Sequence, residues 1–235
     1  MKKKKFLDGK TKKLYETKDQ DHLIMEFKDA YFPYETVRKE KTIIKGKGEI
    51  NNKVSGLLFE YLSGYHVNTH YIKSMGNREM LVMKLKMIPV EVMVRNIAVG
   101  SLVKRSKLRE GTELNCPVCE YYTKGKKSKR EMIDPSHLIS LGYANDEDVR
   151  VIEHLTSKIN AVLKSFFYRR GLLIADFKLE FGLYENDVIL ADELSLDTCR
   201  LINEGTNEKL FKDWSRTDNS DAQNSYKQLH DRIFQ

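Results

Sequence analysis

The segment DFKLEFGLYENDVILADELS, residues 176–195, leaves the chain few options. Apolar and polar side chains alternate on either side of a short polar break, the pattern of a β-hairpin with one face in a core. Successive strand side chains point to opposite faces, so Phe177, Leu179, Phe181 and Leu183 share the core face and Asp176, Lys178 and Glu180 the other. With residues 185–187 as a three-residue loop, Tyr184 pairs with Val188 and Glu180 lies directly opposite Asp192. Opposed carboxylates repel. A divalent cation between them reverses the sign of that interaction, and magnesium commonly bridges one or two carboxylates to nucleotide phosphates. A solvated outer face, with Lys178 neutralising its neighbours, accounts for the same pattern. A two-residue turn at Asn186 and Asp187 would shift the register and remove the coincidence.

The rest of the chain alternates between strand and helix periods. KFLDGKTKKLYET and HLIMEFKD read as three strands, the first two around a Gly-centred turn. From Glu49, the residues Ile50, Val54, Leu57, Leu58, Tyr61 and Leu62 fall on one helix face, with Gly64 as a stop and Asn51 and Asn52 as candidate caps. EMLVMKLKM and VEVMVRN are strands separated by Pro89, and Ser101 is placed as the N-cap of a following helix. Residues 111–135 read as a long irregular loop. Asn145 caps an amphipathic helix whose stripe is Ile152, Leu155, Ile159, Leu163 and Phe166, and a last helix carries Ala222, Tyr226, Leu229 and Ile233. This order predicts an α+β fold.

Charge narrows the function. The 235 residues carry a net charge of +7, which suits either nucleic acid or small, multiply anionic substrates. Aromatics are not interleaved with the basic runs as an RNA-binding sheet requires, and nucleic acid is therefore not expected. No apolar run is long enough to span a bilayer, and the lysine-rich start lacks the apolar stretch of a signal peptide, so no membrane association and a cytoplasmic location are expected. Cys116, Cys119 and Cys199 read as free thiols, because a structural zinc wants four ligands and no second CxxC exists.

Two further segments suit phosphate. DGKTKK, residues 8–13, is a Gly turn between strands flanked by lysines; its amides can cradle an anion, although the same composition is common in ordinary turns. In VRNIAVGSLVKR, Arg95 ends a strand and Ser101 opens a helix, a geometry that fits either an anion or an ordinary cap beside a surface arginine.

Together with KGKGEINNK, EGTEL and ADELSLDTCR, in this order and spacing, these segments resemble the SAICAR synthetases of purine biosynthesis. The resemblance implies an N-terminal β-rich, kinase-like ATP lobe (residues 1–87) and a larger α/β lobe related to ATP-grasp enzymes (88–235). It implies a ligase that uses ATP and Mg2+ to join L-aspartate to carboxyaminoimidazole ribonucleotide. By the same resemblance Gly9, Lys10, Thr11, Lys12 and Leu14 would serve ATP, with Lys84 and Met87 beside the adenine. Glu180 and Asp192 would hold magnesium. Arg95, Ser101 and Arg200 would bind the ribonucleotide phosphate, and Asp176 and Lys178 would line the reaction centre. Lys124, Asp134 and Arg216 are further substrate candidates, and a homodimer is left open. The chain departs from the family pattern at Leu196, at Ile202 and Asn203, and in YFPYET, where by the same resemblance Glu35 would stand in for an acidic loop residue. A kinase-like phosphotransferase would share the nucleotide lobe, but no HRD-type catalytic loop is present.

Overall fold

The computed structural model describes residues 2–31, 42–124, 130–206, 210 and 219–235. Strands β1 (Lys5–Asp8), β2 (Lys12–Glu16), β3 (His22–Phe27), β4 (Ala30–Tyr31) and β5 (Thr42–Ile43) precede helix α1 (Lys47–Ser63). Then β6 (Tyr71–Gly76), β7 (Glu79–Met83), β8 (Lys86–Met87) and β9 (Val90–Ile97) lead to the short α2 (Ser101–Ser106). The chain continues through β10 (Glu113–Thr123), β11 (Met132–Ile133), α3 (Pro135–Ser140) and α4 (Asp146–Tyr168). It closes with β12 (Leu172–Tyr184), β13 (Asp187–Ala191), β14 (Cys199–Asn203) and α5 (Asn219–Ile233). Among the described residues, a five-stranded antiparallel sheet has the order β1-β2-β3-β7-β6, a seven-stranded one runs β11-β10-β9-β12-β13 with β14 and β8 also paired to β12, and β4 pairs with β5. The α+β expectation holds.

Apolar periodicity placed the core well. Val54, Leu58 and Leu62 of α1, Ile152, Ile159, Leu163 and Phe166 of α4, and Phe177, Leu179 and Phe181 of β12 belong to one buried cluster. Burying each such side chain stabilises the fold by about 1.5–3 kcal/mol. Asn145 caps α4 as its sequence suggests, its Oδ1 accepting from the Asp148 amide at 2.8 Å while Asp148 accepts from the Asn145 amide at 3.0 Å. The N-terminus of α1 is held differently. Its N-cap is Gly46, and the amide of Gly48 donates to Asp29 Oδ1 at 2.9 Å. A Cβ on Gly48 would lie 2.7 Å from the Phe27 carbonyl oxygen, so only glycine permits this approach.

Four local expectations are corrected. The β12–β13 turn has two residues, Glu185 and Asn186, at φ 49° and 75°. Mirror-image turns with such left-handed pairs match the twist of the strands they join. Tyr184 therefore faces Asp187, and Glu180 faces Ala191 instead of Asp192. Second, the segment read as an irregular loop contains the eleven-residue β10, with Cys116 and Cys119 exposed along it. Third, Asn51 and Asn52 lie buried within α1 rather than at its cap; Asn52 Nδ2 donates to the Gly76 carbonyl at 2.9 Å. Fourth, Gly100 is the N-cap of α2, and Ser101 is its first residue, whose hydroxyl accepts from Arg95 at 3.0 Å.

Candidate active site

The shifted register should have separated Glu180 from Asp192, yet their carboxylates converge. Asp192 follows the last residue of β13 and takes a left-handed backbone, φ 65°. The two carboxylates then share one cation: Lys178 Nζ lies 2.7 Å from Glu180 Oε1 and 3.4 Å from Asp192 Oδ2. From the other sheet, Lys12 Nζ reaches Asp192 Oδ1 at 2.5 Å and Glu193 Oε1 at 2.9 Å, and the Thr11 hydroxyl donates to Glu193 at 3.1 Å. Lys124 pairs with the second oxygen of Glu180. Burial alone would raise the Asp192 carboxyl, but Lys12 and Lys178 hold it far below the usual carboxylate range. Burial likewise opposes the charge on Lys12, and Asp192 and Glu193 outweigh it, raising that ammonium above its usual range.

A second network grows from strand pairing. Asp176 of β12 faces Arg95 across β9 and Arg200 across β14. Arg95 Nη1 donates to Asp176 Oδ2 at 2.9 Å, and Arg200 Nε donates to Asp176 Oδ1 at 2.6 Å. Arg95 is 1% exposed, and its Nε donates to Glu120 Oε2 at 2.8 Å. Burial raises the Asp176 carboxyl, and the guanidinium of Arg200 acts against that. Glu120, a residue inside the supposed loop, also accepts from Arg105 and from the Tyr122 hydroxyl at 2.7 Å.

The remaining sequence candidates lie at varying distances from these networks. Gly9 closes the β1–β2 turn, its amide donating to the Lys12 carbonyl at 3.0 Å, while Lys10 is exposed at the tip. Leu14 packs against the main core. Lys84 and Met87 are exposed, Lys84 just after β7 and Met87 in β8, and Lys84 sits 5.4 Å over the Phe6 ring. Asp134 is engaged elsewhere, capping α3 through the Ser136 amide at 2.8 Å. Glu35 and Arg216 lie outside the described residues. A cavity of about 470 Å³ lined by Phe59, Thr69, Tyr71, Met83 and Ile189 contains none of the charged groups above.

Sequence reasoning missed Glu193, Glu120 and His70. Glu193 carried the same signal as Asp192, a carboxylate beside the buried run VILA. His70 carried none. Its ring is buried and its Nε2 lies 2.9 Å from the Asp192 carbonyl oxygen. Burial lowers its pKa to about 4, so the ring is neutral.

Comparison with known proteins gives the family of the chain. The SAICAR synthetase family model matches residues 5–233. The phosphoribosylaminoimidazole-succinocarboxamide synthase of Clostridium novyi is 39% identical over 233 residues, covering 99% of this chain and 98% of its own. The crystal structure of the Ehrlichia chaffeensis synthase superposes with a TM-score of 0.92 at 34% identity, covering 98% of both chains. A SAICAR synthetase solved in complex with ADP gives a TM-score of 0.89 at 40% identity, covering 97% of this chain and 96% of its own. Fold and relatives together define an enzyme of the ligase class. The chain belongs to the SAICAR synthetase family, and its reaction is the ATP-dependent joining of L-aspartate to carboxyaminoimidazole ribonucleotide in purine biosynthesis.

Proposed function

We propose a division of labour between the two charged networks. The turn of Gly9, Lys10, Thr11 and Lys12 holds the ATP phosphates, with Leu14, Lys84 and Met87 around the base. Arg95, Ser101 and Arg200 serve the ribonucleotide phosphate, Lys124 approaches the substrates, and Asp176 and Lys178 stand at the reaction centre. Residues 1–87 form the nucleotide lobe and 88–235 the lobe with the metal and ribonucleotide sites, in a cytoplasmic enzyme. One observation carries this reading: Lys12, from one sheet, meets the Asp192 and Glu193 carboxylates of the other.

The donor set fits magnesium. Glu180 and Asp192 offer hard oxygen atoms that already reach one shared ammonium. Among the described residues no cluster of three or more His, Cys, Asp or Glu is arranged to bind a metal. Two carboxylates completed by phosphate oxygens and water are the usual protein share of a magnesium site. When bound, the ion neutralises phosphate charge.

A carboxylate is a poor electrophile, so the ribonucleotide carboxylate first takes the terminal phosphoryl group of ATP, releasing ADP. The aspartate amine then attacks the activated carbon and phosphate leaves. Lysines and arginines fixed by the buried carboxylates supply alignment and charge stabilisation. Omitting each substrate in turn while following ADP release tests the assignment. Turnover is expected only with ATP, ribonucleotide and aspartate together; undiminished ADP release without the ribonucleotide would overturn it.

A further inference from the structure

His70 belongs to neither charged network, yet its backbone bridges the ends of β7 and β13, just before Asp192. Its backbone amide donates to the Leu190 carbonyl at 2.8 Å, and its carbonyl accepts from the Met83 amide at 2.7 Å. The Leu190 amide in turn donates to the Asn68 carbonyl at 3.1 Å. Residues 68–70 therefore lie between the end of β7 and the end of β13. The ring stands edge-on to Phe59 of α1, with centroids 5.4 Å apart, and is 4% exposed. A carbonyl oxygen can only accept, so Nε2 carries the proton and donates to the Asp192 carbonyl.

That bond falls where the backbone needs it. An Asp at φ 65° is in a sparsely populated region, and such a residue persists only where its surroundings hold it. In extended conformation Asp192 would continue the β13 alternation, in a register that pairs Glu180 with Ala191. The left-handed residue instead brings its carboxylate to Lys12, Lys178 and the neighbourhood of Glu180.

We propose that His70 is a positioning residue, whose ring N–H fixes the Asp192 carbonyl and thereby aims the Asp192 carboxylate at the divalent cation of the bound nucleotide. The inference rests on the reading of Asp192 as a metal ligand. His70 touches neither substrate nor cation. Its effect is confined to the contribution of the metal.

Three substitutions separate a donor from a packing role. His70→Phe keeps a ring against Phe59 and removes the donor. His70→Gln retains an N–H near the reach of Nε2, and His70→Asn holds one too short to arrive. The measurement is calorimetric ADP affinity with magnesium and with EDTA, alongside ribonucleotide affinity and the unliganded melting temperature. The gain in ADP affinity conferred by magnesium is expected to fall about tenfold in His70→Phe and His70→Asn, the scale of a lost hydrogen bond behind a metal ligand. His70→Gln should keep most of that gain. ADP affinity in EDTA and ribonucleotide affinity should not change. If His70→Phe fails to fold, the order of Gln over Asn carries the test.

A packing role predicts the reverse, with Phe close to wild type and Gln impaired, and that result overturns the inference. Asp192→Asn is the reference. If it loses the magnesium gain while every His70 variant keeps it, the inference fails and the reading of Asp192 stands. If Asp192→Asn keeps the gain, the reading of Asp192 fails and the inference with it.

Discussion

At Gly100 a single methyl group would disturb Arg200, which is proposed to serve the ribonucleotide phosphate. The residue has φ 56°, and a Cβ would lie 2.4 Å from Arg200 Nη1. Gly100→Ala should push the guanidinium out of its geometry with Asp176 and raise the ribonucleotide KM well above any change for ATP. Loss of a charge-assisted contact of this kind is worth about 2 kcal/mol, or roughly thirtyfold. Equal changes in both KM values would refute this. Arg95→Ala should cost stability as well as ribonucleotide affinity, because Arg95 is buried with Asp176 and Glu120 and its removal leaves both without their shared partner. A loss of about 3–5 kcal/mol in denaturant unfolding is expected, and an unchanged midpoint would refute it. Asp192→Asn should lower the unliganded melting temperature, since the carboxylate answers Lys12 and Lys178 instead of repelling Glu180. The opposed pairing suggested by the sequence would have predicted no loss.

Individual elements show which signals a sequence carries. The β12–β13 turn places Glu185 and Asn186 in left-handed conformations that Asn and Gly adopt more readily. The double substitution Glu185→Asn with Asn186→Gly should stabilise the protein by about 1 kcal/mol in urea unfolding, with activity retained. Asp29 makes a complementary prediction for α1. Burial opposes its charge, but the Arg78 guanidinium and the Gly48 amide hold the carboxyl below its ordinary 3.8. A folded value below the unfolded one means the contribution is present above that pH and is lost as pH falls through the folded value. Asp29→Asn should therefore cost stability at neutral pH, with the gap from wild type closing on acidification. The same elements explain what could be read in advance. Helix stripes and the cap at Asn145 are local patterns, as was the existence of the hairpin. Its register was not legible, because Glu-Asn lacks the glycine that announces a mirror-image turn. β10 was hidden by Pro117 and by the polar residues that follow it. The charged motifs located Lys12, Lys178, Glu180 and Asp192, whereas His70 and Glu120 depend on partners distant in sequence, which leave no local trace.

Across the whole molecule, side chains add to the backbone bonds of residues 68–70 in joining the two larger sheets. Thr11 and Lys12 reach Glu193, His70 reaches Asp192, and Lys47 of α1 pairs with Asp197, which also accepts from the Tyr226 hydroxyl of α5 at 2.5 Å. A ligand held between the sheets should stabilise the fold as a unit. Magnesium-ADP at a hundred times its Kd should add about 2.7 kcal/mol to unfolding, seen as one shifted thermal transition, and EDTA should remove most of the shift. Two separate transitions, with only one responding, would contradict this. The ion pairs around Asp192 carry a further consequence. Lys12, Lys124 and Lys178 are matched by Glu180, Asp192 and Glu193, so the charges of this cluster cancel inside the protein. A nucleotide that draws these lysines toward its phosphates, as proposed, loosens their hold on the carboxylates, and loosened carboxylates need a new counter-ion. If the cluster holds nucleotide and metal as proposed, phosphates and metal assist each other's entry, each satisfying what the other sets free. On that assignment the site exchanges one set of ion partners for another, and it favours the nucleotide and the metal together over either species arriving alone.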